Sequence, residues 1–189
     1  TISGASGLTV NAAATLTSNT KVWPNALTCT GAVTFTLADN WNVDGLLTIG
    51  LNSATFNGFQ ITASAGLTHA GSGTQVVSGT TNLILDGTGT VTGSSGGGAI
   101  RNNLTINTAG TITFASGNTF SYNTGTLTYT AGTVVTTGNT LNNQGIATTF
   151  ACSGITWNNV TITGTVTVTL SENLNVTGLL TLVSAGQSL

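Results

Sequence analysis

The stretch AVTFTLADNWNVDGLLTI, Ala32 to Ile49, decides how this chain is read, because it returns as TVTVTLSENLNVTGLLTL, Thr165 to Leu182. The copies align without a gap from Asn25 to Ile49 against Asn158 to Leu182. Within each, apolar and polar residues alternate. Val33, Phe35 and Leu37 alternate with Thr34 and Thr36; Val166, Val168 and Leu170 alternate with Thr167 and Thr169. A period of two sends successive side chains to opposite faces, so these are strands with one buried face. Threonine and β-branched residues suit such a half-buried, pleated surface. Asp39 and Glu172 hold equivalent places, as do Asn40 and Asn173, and Asn42 and Asn175. Gly45 and Gly178 then turn the chain into a second strand, with Leu47 and Ile49 in one copy and Leu180 and Leu182 in the other.

Outside the two copies the theme persists more loosely. A glycine followed at once by an apolar-alternating run occurs at Gly45, Gly66, Gly89, Gly110, Gly132, Gly154 and Gly178, with Gly7 as an earlier candidate. A second register agrees: Asn82-Leu83 with Gly89-Thr90-Val91-Thr92 repeats as Asn103-Leu104 with Gly110-Thr111-Ile112-Thr113. Both series recur at intervals of about 22 residues, and a fixed period in this range marks a solenoid. No segment carries apolar residues at helical spacing over three turns, and helix-favouring residues are scarce. The expected fold is therefore all-β, a parallel β-helix (β-solenoid) with coils of about 22 residues. Eight or nine such coils at ~4.8 Å each would span on the order of 40 Å. Residues 1–189 read as a single block, a segment of a longer repeat array. The glycine-rich stretch Thr88 to Gly98 is expected to be a loop leaving one corner.

Composition narrows the function classes. Charged residues are 3% of the 189, against about a quarter in ordinary proteins. Low charge with frequent apolar residues argues against disorder. Lys21 and Arg101 are the two basic residues, too few to neutralise a nucleic-acid backbone. No run is long enough for a transmembrane helix, so neither nucleic acid nor membrane insertion is expected. The start at Thr1 without methionine suggests a mature or excised piece. An almost uncharged strand protein lacks the usual guard against edge association and belongs in an extracellular, cell-surface or virion assembly.

Period, Asn/Gly/Thr corners and lack of charge together resemble the parallel β-helix proteins, both secreted adhesins and bacteriophage tail spikes and fibres. That resemblance implies a rigid extracellular rod for display, attachment or self-assembly. Its implied partners are copies of itself, neighbouring fibre segments or host-surface glycans.

Candidate chemistry is sparse, and no enzyme is expected. The carboxylates are Asp39, Asp44, Asp86 and Glu172. Glycoside cleavage needs two, roughly 5–10 Å apart. Asp44 and Asp86 are the weak catalytic candidates: two coils of separation from a shared corner would set them about 10 Å apart. Each also precedes a glycine, where aspartate favours turns. A carbohydrate-active β-helix enzyme is thus the alternative from another class.

Cys29 and Cys152 are expected to be buried free thiols, too far apart along the axis to bridge. His69 has no partner set for catalysis or metal, and is expected at the surface or a corner. No cofactor or metal is expected, and the glycine strings lack the lysine and helix of a phosphate loop.

Trp41, Phe35, Phe114 and Phe150 fall in the buried phase. Trp23 and Trp157 precede Asn25 and Asn158 near corners, where they pack on the next coil or, if exposed, stack on sugars. Outward threonines raise a third possibility, an ice-binding solenoid, although TxT pairs do not recur at one place in every coil. Asn103, Asn159 and Asn175 open Asn-x-Ser/Thr triplets, N-glycan acceptors in a eukaryotic secreted protein but frequent by chance here.

Overall fold

The computed structural model describes residues 6–55, 58–69, 76–78, 82–93, 99–144, 147–163 and 167–183, with backbone alone for 31–35, 51–55 and 76–78. The described chain is all strand, turn and connection, and every strand pairing in it is parallel. Strands stack into a β-solenoid of about seven turns of roughly 21 residues. Among the described residues no helix is long and apolar enough to cross a membrane.

Each full turn has three faces. Face I runs through Leu8–Val10, the first part of Leu27–Leu37, the first part of Leu47–Thr55, Gly66–His69, Gly89–Thr92 and the end of Asn103–Phe114. Face II takes Ala14–Leu16 and the second parts of Leu27–Leu37 and Leu47–Thr55, with Val76–Ser78 beside the last. Higher up it holds Thr119–Ser121, Thr140–Asn143, Asn159–Thr163 and Leu180–Val183. Face III, among the described residues, stacks eight strands from Val22–Trp23 to Val168–Leu170, about 34 Å at strand spacing. Along it Trp41, Ile61, Leu83, Leu104, Leu127, Phe150 and Leu170 succeed one another, one per coil.

The core is a set of such ranks. On face I, Leu27, Leu47 and Leu67 stack directly, as do Cys29, Ile49 and His69, and all six are buried. Higher up the core becomes aromatic. Phe114 meets Phe120 and Trp157 edge-on at 5.1 and 5.0 Å, the geometry ring quadrupoles favour. Phe114, Phe150 and Trp41 are core as their phase predicts; the side chain of Phe35 lies outside the described residues.

The duplicated stretch follows a rule its sequence does not announce. In the first copy the strand ending at Leu37 lies on face II, Trp41–Val43 on face III and Leu47 on face I. In the second, Val168–Leu170 lies on face III, Asn175–Val176 on the next side, and Leu180–Val183 on face II. The copies are therefore one face out of step. The offset between them is a whole number of coils plus about a third of one, so the repeated unit is strand, corner, strand, indifferent to which corner it turns.

The glycine series is corrected in the same way. Gly110 stands beside Gly132, since Thr111 pairs with Thr133. Gly89, however, pairs with Ile112 and not with its sequence counterpart Gly110. Two extra residues enter the corner after Ile106, where the buried Thr108 fills the bulge. Its hydroxyl donates to the Gly87 carbonyl at 2.7 Å and accepts from the Gly110 N–H at 2.8 Å. Gly178 belongs to a different corner from Gly45. The stretch from Thr88 also differs from expectation: Gly89–Thr92 is a strand held between two others, and only 94–98 fall outside the described residues.

Gly66 shows why glycine is needed where coils approach. Its φ is +104°, and an added Cβ would lie 2.7 Å from the Thr90 nitrogen. Gly58 has φ +79° but open space around it. Gly66→Ala is expected to lower stability by about 2 kcal/mol or more, and Gly58→Ala by about 1. Urea unfolding of the two variants checks this; equal losses would show that coil crowding at Gly66 contributes nothing.

Candidate functional site

Polar side chains of this protein work mainly at corners, where the ladder is interrupted and backbone groups of one coil need partners on the next. Asp39 accepts from the Ser18 N–H at 2.7 Å, the Asn19 N–H at 2.7 Å and the Ser18 hydroxyl at 3.1 Å, all one coil earlier. Its repeat equivalent, Glu172, accepts from the N–H and hydroxyl of Ser153, each at 2.9 Å. The two carboxylates do one job at two different corners. Donation from the Ser18 and Ser153 backbones holds both acids below their ordinary range.

Asp44 and Asp86 do share a corner. Val43, Ala63 and Leu85 are stacked partners, so Asp44, Ser64 and Asp86 follow as one outward file. The two carboxylates are exposed and two strand spacings apart, about 10 Å. Ser64 stands between them and donates its hydroxyl to Asp86 at 2.8 Å. Each aspartate also continues the ladder: the Asp44 N–H donates to the Trp23 carbonyl at 2.8 Å, and that of Asp86 to Ala63 at 3.4 Å.

Cys29 and Cys152 are free and buried, and burial pushes their thiols up to about 12 and about 11. His69 departs from expectation. It is 2% exposed, because Leu67 and His69 share the inward parity of Leu47 and Ile49. That parity was legible in the run GLTH, and the polar ring masked it. Trp157 is likewise wholly buried and closes the aromatic core. Trp23 is half-buried, stacks on Trp41 at 6.5 Å and donates its indole N–H to the Ala26 carbonyl at 3.2 Å. Among the described residues no group of three or more His, Cys, Asp or Glu is placed to hold a metal.

The asparagines of the glycan triplets are engaged between coils. Asn103 accepts from the Thr126 N–H at 3.0 Å and Asn159 from the Leu179 N–H at 2.9 Å, while Asn175 donates its amide to the Ser153 carbonyl at 2.7 Å. Threonines form a continuous outward file on face I: Thr9, Thr28, Thr48, Thr68 and Thr92 are successive partners. The neighbouring file holds Ala26, Leu46, Gly66 and Thr90, so the array is single and not the paired TxT grid.

Lys21, Asp39, Asn40, Asn42, Phe59 and Gln60 line a cleft of about 460 Å³ at the corner entering face III. They come from three consecutive coils, since Val22, Asn42 and Thr62 are successive partners. A second cleft of about 290 Å³ adjoins it, with Lys21 common to both and Trp23 and Trp41 in its wall. No family model, curated protein or solved structure matches the chain.

The carboxylate caps give a pH signature. Asp39 and Glu172 have lowered folded-state values, so their stabilisation is complete above the unfolded values of about 4 and is lost as pH falls through the lower folded ones. Thermal unfolding is expected to be flat in pH above about 5 and to decline below about 4. The double substitution Asp39→Asn, Glu172→Gln is expected to flatten that decline; an unchanged acid limb would assign it elsewhere.

Proposed function

We propose that this chain is a segment of a stiff extracellular or virion fibre, a rod for attachment or self-assembly of the kind formed by solenoid adhesins and phage spikes. The observation that carries this is the open upper coil. Leu180 and Leu182 are partners of Val160 and Ile162 and share their inward phase. Val160 and Ile162 are 0% and 2% exposed, whereas Leu180 and Leu182 are 40% and 44% exposed. Leu179 and Val183 beside them are more open still. A rank of core residues with no roof among the described residues favours one more layer of the same kind, either further coils or the first coil of another copy. Head-to-tail contact of this type does not close on itself and builds filaments. Scarcity of charge removes the repulsion that would oppose it.

The mechanism is geometric. Ladder hydrogen bonds and stacked core ranks make the rod stiff, and its lateral faces present threonine, asparagine and corner clefts at fixed spacing. Sedimentation and electron microscopy of the chain test the association. Elongated species growing in steps of about 40 Å are expected, and Leu180→Lys with Leu182→Lys should return them to single units. A monodisperse single unit for the unaltered chain at all concentrations would contradict the proposal.

A further inference from the structure

We propose that the cleft lined by Lys21, Asp39, Asn40, Asn42, Phe59 and Gln60 binds a neutral oligosaccharide. It is a place where an ammonium, a carboxylate, three amides and an aromatic ring converge, in a chain that is only 3% charged. Lys21 and Asp39 cancel in charge, which disfavours phosphate or a polyanion and suits an uncharged polyol.

The hydrogen-bonding inventory fits vicinal hydroxyls, which both donate and accept. Asn40 accepts from the Gln60 N–H at 2.8 Å through its carbonyl, so its NH₂ remains to donate. Gln60 donates to the Thr62 hydroxyl at 3.1 Å through its NH₂, so its carbonyl remains to accept. Asn42 is exposed and offers both groups. Phe59 is half-buried, anchored on the core, and supplies an apolar plane beside them. Pockets with an apolar wall and a few fixed polar groups are the usual form of small-ligand sites, and about 460 Å³ is within their range.

A second observation concerns the backbone. Asn19 and Thr20 are the non-glycine described residues with positive φ, at 50° and 64°. Such a φ is a genuine outlier for β-branched threonine. Asp39 holds the turn through the Ser18 and Asn19 N–H groups, and the Ser18 hydroxyl accepts from the Thr20 N–H at 3.0 Å. The strained Thr20 immediately precedes Lys21, at the edge of the cleft. Strain concentrated beside a cleft, and held there by dedicated bonds, is the pattern of a binding site.

The site gives the attachment rod a ligand class and so rests on that reading, yet binding and filament formation fail separately. The test is calorimetric and NMR titration of the intact chain with neutral glucose, galactose and mannose tetrasaccharides. Saturable binding of at least one is expected. Phe59→Ala should weaken it about two- to tenfold. Asn42→Ala should weaken it too, without shifting the melting temperature, because that side chain is exposed. The Leu180→Lys, Leu182→Lys variant should keep binding while losing association. Binding by none of the probes, binding by the Phe59 and Asn42 variants undiminished from that of the unaltered chain, or displacement by inorganic phosphate would overturn the proposal.

Discussion

Everything in this molecule depends on the hydrogen-bonded ladder between one coil and the next. A single coil cannot satisfy its own backbone or enclose its own apolar side chains. Parallel stacking does both at once. Inside the stack, strand N–H and C=O groups find partners on neighbouring coils, and inward residues are covered by their successors. Corner side chains complete the ladder where the backbone turns. Asn103, Asn123, Asn158 and Asn159 each accept an N–H from an adjoining coil, and Asp39 and Glu172 do the same with a charge. Corners rich in asparagine and threonine are thus structural requirements of the ladder before they are anything else.

Three nearly equivalent faces explain both the success and the errors of reading the sequence. Strand alternation in VTFTL and the recurring glycines make the solenoid visible, because period two and a regular coil length are local properties. Which face a strand occupies is not local. Corners absorb two residues at Thr108 and shift a duplicated unit by a third of a turn, while the strand pattern stays unchanged. A close sequence repeat therefore identifies a unit without locating it.

The candidate site was less legible, for a related reason. Parity along a strand places Cys29, Cys152 and the aromatic core correctly. Applied without regard to polarity, it would have placed His69 inside as well. The lateral cleft is different in kind. Its residues lie on separate coils; Thr20, Asn40 and Gln60 fall into one file, with Lys21 and Phe59 beside it, only because the coil length brings them together. Their separation by one coil each was the available signal. It becomes readable only once the coil at that end is known to run from Trp41 to its partner Ile61.

A fibre segment with lateral clefts is a natural use of this design, because stacking fixes the distance between successive surface features and low charge permits coils to meet end to end. The register of that stacking is most directly tested by cross-linking. Thr48 and Thr68 are outward Cα partners on face I, and parallel partners lie about 4.8 Å apart, within disulfide range. Thr92 follows Thr68 in the same file, so Thr48 and Thr92 stand two spacings apart, beyond that range. The variant Thr48→Cys, Thr68→Cys should oxidise readily to an intramolecular disulfide with the fold intact. Failure to bridge, alongside efficient intramolecular bridging of Thr48→Cys, Thr92→Cys, would contradict the stacked-coil account.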